Sequence, residues 1–229
     1  MSKLIGIIGA MDIEVDGIVS SMQDVLCEEI SGVKFFKGKL FGKDVVVAKC
    51  GIGKVFAAIC AQTMILKYHP NVIINSGVAG SLEGELGVLD VCVAKKVVQH
   101  DMDTSAIGDP KGLISGINVI YIDANEEAVN KLENACKTLS CTYKTGTVAS
   151  GDKFIAKNED KAFIKSEFGA IACEMEGASI GHVCYVNGVP FGILRAISDG
   201  EGAEMDYMTF AKIAAEQSIK IVQKFVETY

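Results

Sequence analysis

The chain has 229 residues, of which 49% are hydrophobic, and a formal net charge of −7 at neutral pH. That length suits one compact α/β domain with a sizeable core, or two small ones. The acidic balance comes with no cluster of Lys or Arg. This argues against nucleic-acid binding, which draws most of its affinity from a basic stripe.

The first apolar run, Leu4–Ala10, meets Asp12 and Glu14 at once, so it reads as a strand rather than a signal peptide. Later strands are expected at Lys34–Leu40, Asp44–Lys49, Val72–Ser76, Val91–Val98, Thr145–Ala149, Ala170–Cys173 and Phe191–Ile197. Several are apolar on both faces, as in a mostly parallel sheet covered by helices on both sides. Helices are expected at Ile13–Met22, Val55–Leu66, Glu126–Leu139, Gly177–Val186 and Tyr207–Val226. In the third, Val129, Leu132, Ala135 and Leu139 recur at helical spacing and mark a core stripe. Thr104–Asn118, with Gly108, Pro110, Gly112 and Gly116, is the longest irregular stretch and reads as a loop over a site or at a subunit contact. The expected fold is a single-domain, three-layer α/β structure with a mixed, mostly parallel central sheet.

No run reaches the ~18 apolar residues of a membrane helix. The eight cysteines include no C-x-x-C, and His69, His100 and His182 lack metal-ligand spacing. Reduced core thiols in a cytoplasmic protein are the expectation, with no metal.

In sheets of this kind ligands collect at the carboxyl ends of strands. The segments to inspect are therefore Gly9–Glu14, Cys50–Lys54, Gly77–Leu82, Ser150–Ile155, Glu174–Gly177 and Ser198–Glu201. Gly6-Ile7-Ile8-Gly9-Ala10-Met11 misses the dinucleotide spacing, and the carboxylates after it would repel a pyrophosphate. Asp12 reads as a helix N-cap and Glu14 as a first-turn carboxylate. Gly51-Ile52-Gly53-Lys54 lacks the phosphate-loop spacing and reads as a tight turn. Asn75–Ser81 is rich in small residues, including Gly77 and Gly80, that suit either close helix–strand packing or approach of a ligand to the backbone. Glu174-Met175-Glu176-Gly177 is the sharpest local feature, because two like charges on one face of an extended segment cost energy unless something binds them. The alternative is a solvated strand end. Asp199, after Ser198, is either a turn cap or a proton donor for a basic leaving group. Arg195 is the only arginine in the chain, whereas a free-phosphate site would want several.

In order along the chain, the Gly6–Met11 segment with Glu14, Gly51–Lys54, Asn75-Ser76-Gly77, Ser150-Gly151-Asp152, Glu174-Met175-Glu176 and Arg195–Asp199 resemble the 5′-methylthioadenosine/S-adenosylhomocysteine nucleosidases of the nucleoside phosphorylase superfamily. The resemblance implies hydrolysis of an adenine–ribose bond without metal or organic cofactor. It makes Glu14 the general base for water and Asp199 the acid at adenine N7, oriented by Ser198. It puts Phe154 against the adenine, Ile155 on its edge, Met175 and Glu176 on the ribose, and Arg195 beside the water. Met11, Ile52, Tyr207 and Phe210 become apolar walls, joined by Ile107 from a second subunit of a homodimer. Val78 stands where relatives often carry serine, Ile107 replaces an aromatic residue, Tyr207 stands where phenylalanine is common, and the loop after Asp199 is slightly shortened. A base and an acid on opposite sides of a glycosidic bond, with room for water, match the logic of inverting hydrolysis. Two readings compete: a phosphate-dependent purine nucleoside phosphorylase, and a nucleosidase acting on aminodeoxyfutalosine.

Overall fold

The computed structural model describes residues 3–82, 84, 86–199 and 207–229, with Asp199, Tyr207 and Met208 described in their backbone only. The elements in chain order are β1 (Leu4–Gly9), α1 (Asp12–Val19), β2 (Gln23–Ile30), β3 (Val33–Leu40), β4 (Lys43–Lys49), α2 (Lys54–Tyr68), β5 (Val72–Ser81) and β6 (Val91–Gln99). They continue as β7 (Tyr121–Asp123), α3 (Glu126–Thr138), β8 (Tyr143–Ser150), α4 (Asn158–Phe168), β9 (Ala170–Glu174), α5 (Gly177–Asn187), β10 (Phe191–Asp199) and α6 (Tyr207–Thr228).

All the strands join one sheet, in the order β10-β6-β8-β9-β5-β1-β4-β3-β2, with β7 beside β6. Parallel ladders hold its centre, joining β1 to β4 and β5, β5 to β10, and β8 to β6 and β9. Alternation along β1 explains the layering: Ile5 and Ile7 point to the core under α1, α3 and α6, whereas Ile8 points to the core under α2 and α5. Gly6 lies on the second face because a Cβ there would stand 2.6 Å from the Met64 sulfur. The mixed sheet between two helical layers agrees with the expectation.

Three elements carry no readable pattern in the sequence. β2 is exposed along almost its whole length and is held by backbone pairing to β3, so it lacks a buried face to betray it. α4 is rich in charged residues and buries only Lys161, Ile164 and Phe168. β7 is three residues long. Two expected boundaries move by three residues or more. The first helix ends at Val19 rather than Met22, where the Ser20 and Ser21 hydroxyls donate to the Asp16 and Gly17 carbonyls. The strand expected to stop at Ser76 continues to Ser81, because its second half pairs with β10 and then, antiparallel, with β9. That extra pairing closes β5, β9, β8, β6 and β10 into a ring and carries Val78, Ala79 and Gly80 to its mouth.

The α3 stripe predicted from spacing is buried at Val129, Leu132 and Ala135, with Leu139 exposed at the helix end. Leu132 is fully buried and packs where Gly192 leaves room, its Cδ1 only 3.1 Å from where a Cβ would stand. Leu132→Ala is expected to cost about 2–5 kcal/mol through lost burial and the cavity left behind. Urea unfolding, read as a drop in midpoint at unchanged slope, measures this.

Candidate active site

One cavity of about 110 Å³ opens where β1, β9 and β10 end, where β5 passes, and where the chain turns after β4 and β8. Met11, Glu14, Ile52, Val78, Gly80 and Phe154 from the expected set line it. So do Ile155, Met175, Glu176 and Ser198. Ala10, Ala79, Lys153 and Cys173, which the sequence did not single out, complete the wall with Glu174, the other member of the glutamate pair.

Glu14 is held by three backbone amides. Met11, not Asp12, is the N-cap of α1; Asp12 is the first helical residue and takes the Lys49 ammonium at 2.6 Å. With no short polar side chain at the cap, the Glu14 carboxylate folds back. Its Oε2 accepts from the Ala10 and Met11 amides at 2.7 and 3.0 Å, and its Oε1 accepts from the Val78 amide at 3.0 Å. The helix-start amides that would have held a pyrophosphate are thus occupied by the chain's own carboxylate. Only 3% of Glu14 is exposed. Burial pushes its pKa above the ordinary carboxylate value, against the opposing pull of Arg195 and the three amides.

Arg195 lies behind the cavity rather than in its wall. Fully enclosed, it donates from Nη2 to Glu174 and to Asn75, whose own amide donates to the Ile8 carbonyl at 2.9 Å. Gly77 lets it approach Glu14: a Cβ there would fall 2.5 Å from Arg195 Nη1 and 2.6 Å from Glu14 Oε1. Small residues in Asn75–Ser81 therefore serve close approach between functional side chains.

Glu174 and Glu176 do not form a solvated strand end. Both are buried, and the chain leaves the extended conformation at Glu176, which caps α5. Glu174 accepts from Ser150, Arg195 and the Glu176 and Gly177 amides. Burial alone would raise its pKa, but the Arg195 charge and these donors outweigh it and hold the carboxyl below its ordinary value. Among the described residues Glu176 receives only the Gly53 amide, at 2.9 Å, and it stands 4.0 Å from Arg195. Burial and the neighbouring Glu174 charge push it up to about 8.

Phe210, partly exposed on the first turn of α6, and Ile107, 82% exposed in a short 3₁₀ turn, are not in the wall. The Asp199 backbone is in register with Gly80. The Asp199 and Tyr207 side chains, and the shortened loop after Asp199, lie outside the described residues. Among the described residues no cluster of His, Cys, Asp and Glu could hold a metal ion, and no helix is long and apolar enough to cross a membrane.

The phosphorylase superfamily model matches residues 4–227. A 5′-methylthioadenosine/S-adenosylhomocysteine nucleosidase of Staphylococcus aureus (strain JH9) is 38% identical, over 97% of this chain and 99% of its own length. A crystal structure of the Neisseria meningitidis 5′-methylthioadenosine/S-adenosylhomocysteine nucleosidase in complex with methylthio-immucillin-A superposes with a TM-score of 0.95 at 32% identity, covering 99% of this chain and all of that one. The futalosine hydrolase of Helicobacter pylori strain 26695 superposes equally well, TM-score 0.95 at 38% identity, covering all of this chain and 99% of that one. The chain belongs to the phosphorylase superfamily and, within it, to the 5′-methylthioadenosine/S-adenosylhomocysteine nucleosidase family.

The charge arrangement has a thermodynamic consequence. Raising a buried carboxyl from its ordinary value to about 8 removes stability progressively as pH climbs from about 4.5 to 8, because the unfolded chain gives up that proton more readily. Glu176→Gln removes this penalty while keeping an acceptor for the Gly53 amide. The variant is expected to melt higher than wild type at pH 8, by at least about 1 kcal/mol of stability, with the gap closing towards pH 5. Calorimetric melting across that range checks it.

Proposed function

We propose that residues 1–229 form one nucleosidase domain. It hydrolyses the N-glycosidic bond of 5′-methylthioadenosine and S-adenosylhomocysteine, and of 5′-deoxyadenosine, releasing adenine and the 5′-substituted ribose. The observation that carries this reading is a contrast. A buried carboxylate, Glu14, faces the cavity on three backbone amides, while the only arginine is turned away and bound to Glu174. A carboxylate at the nucleophile's place repels phosphate and draws a proton from water. That disfavours the phosphorylase alternative.

In this reading Glu14 is the general base, and the burial that raises its pKa makes its carboxylate a stronger base than an ordinary one. Asp199 is the acid at adenine N7, with Ser198 beside it. Phe154 stacks on the adenine and the Ile155 backbone reads its edge. Met175 and Glu176 hold the ribose, whose hydroxyls, donating to Glu176, favour its ionised form, and that anion stabilises the positive charge that develops there. Met11, Ile52, Val78 and Gly80 shape the wall, with Tyr207 and Phe210 closing the 5′ end. Arg195 acts on the water through Glu14 and Glu174. The family match and the bound methylthio-immucillin-A of the Neisseria relative support the substrate class. The likeness to the futalosine hydrolase favours aminodeoxyfutalosine as a second substrate. We place the reaction in the cytoplasm, in methionine salvage.

We further read the working form as a homodimer in which Ile107 reaches the neighbour's site. Val55, Phe56 and Ile59 expose an apolar face on the first turns of α2, continuous with Ile52 at the cavity, and a monomer would leave that face in water. Phe56→Asp is expected to shift the sedimentation coefficient of the protein to that of a monomer and to raise KM. A wild type that already sediments as a monomer at working concentration would remove this part of the reading.

Adenine release from methylthioadenosine is expected to proceed at the same rate with and without phosphate, with free methylthioribose as the sugar product. Glu14→Gln and Asp199→Asn are each expected to lower kcat by about 10²–10⁴-fold with the fold intact. A phosphate-dependent rate yielding a sugar 1-phosphate would overturn the hydrolytic assignment.

A further inference from the structure

α2 begins without a cap of its own. Its N-cap is Gly53, which has no side chain and sits at φ +100°, a conformation that favours glycine. The free amide at the first helical position, Lys54, is instead taken by Asp152 Oδ1 at 2.7 Å, a residue 98 positions further along the chain. The approach is close: a Cβ on Gly53 would stand 3.0 Å from that same oxygen. Asp152 is itself held, its amide donating to Asp101 Oδ2 at 2.8 Å. The other oxygen of Asp101 takes the Lys54 ammonium at 2.6 Å, and that ammonium also reaches Gln99 Oε1 at 3.2 Å. On the opposite side the Ser179 hydroxyl, from the first turn of α5, donates to the Lys54 carbonyl at 2.7 Å.

This clasp lies between two parts of the cavity. One residue before Lys54, the Gly53 amide donates to Glu176 and is the only amide among the described residues that does so. One to three residues after Asp152 come Lys153, Phe154 and Ile155, which line the cavity. We infer that Asp152 is a positioning residue: by capping α2 across the chain it sets the Gly53 amide that orients the Glu176 carboxylate, and it ties this ribose-side contact to the adenine-side loop that it begins. Asp101 and Lys54 keep Asp152 in place. Asp152 does not line the cavity, and its effect runs through Glu176.

The inference rests on the nucleosidase reading for its kinetic consequence but not for its structural one, and the two are measured separately. In hydrogen exchange, the Gly53 and Lys54 amides are expected to exchange faster in Asp152→Ala than in wild type. In Asp152→Asn, which keeps an oxygen facing the Lys54 amide, their protection is expected to return. Unchanged exchange in Asp152→Ala would overturn the clasp, whatever the protein's substrate. In turnover of methylthioadenosine, Asp152→Ala is expected to lower kcat/KM roughly 10-fold, with Asp152→Asn within about 3-fold of wild type. In a Glu176→Ala background, which removes the acceptor of the Gly53 amide, the same alanine substitution is expected to change the residual kcat/KM by less than about 2-fold, because its route of action is already gone. Full additivity of the two substitutions would assign Asp152 to general stability and overturn the positioning role. If wild type fails to cleave methylthioadenosine while Gly53 exchange still responds to Asp152, the nucleosidase reading fails and the link from Asp152 to Gly53 stands.

Discussion

The buried guanidinium of Arg195 is the constraint on which the site depends. One fixed positive charge is enclosed near three buried carboxylates, Glu14, Glu174 and Glu176. It cannot neutralise all three, and geometry decides which it serves. Glu174 lies in direct contact and collects further donors from Ser150 and from the start of α5, so it remains ionised. Leaving that pair half made would strand a charge in the interior, an outcome costlier than never burying it. The other two carboxyls feel the same charge at longer range, and for them burial prevails.

This unequal sharing gives three chemically similar side chains three different characters. Glu174 is a structural anion, spent on Arg195 and α5. Glu14 is a poised base, held by amides yet still raised. Glu176 faces the cavity with one amide partner and room to accept more, and it is strained in an electrostatic sense until something donates to it. A ligand hydroxyl donating to Glu176 would favour its ionised form. The sheet makes the arrangement possible by closing on itself. Because β5 runs past Ser76 to pair with β10 and β9, the strands that carry Glu14's amide partner, Glu174 and Arg195 meet at one mouth.

Backbone detail matters as much as side-chain identity here. A methyl group at Gly77 would collide with Arg195 and Glu14, and one at Gly53 would crowd the Asp152 oxygen while the backbone there sits at φ +100°. Val78 takes part through its amide, so a residue with an apolar side chain still contributes to holding Glu14. The tight turn Gly51–Lys54, too short for a phosphate loop, connects two walls of the cavity instead.

Much of this was legible from residue order. The apolar runs marked the central strands, helical spacing marked α3, and the carboxyl-end rule pointed to the segments that surround the cavity. Those signals are local: period and composition act over a few residues. The lone arginine, and the doublet of glutamates that follows an apolar strand, already marked the site chemically. What the sequence alone left open depended on contacts between distant positions. β2 and α4 bury too little to leave a periodic trace, and β5's extension exists only because β9 and β10 lie beside it. Which glutamate would take Arg195, and that Asp152 would cap a helix 98 residues earlier, could be decided only in three dimensions. Coulomb energy and hydrogen bonding depend on distance through space, and separation along the chain does not encode it.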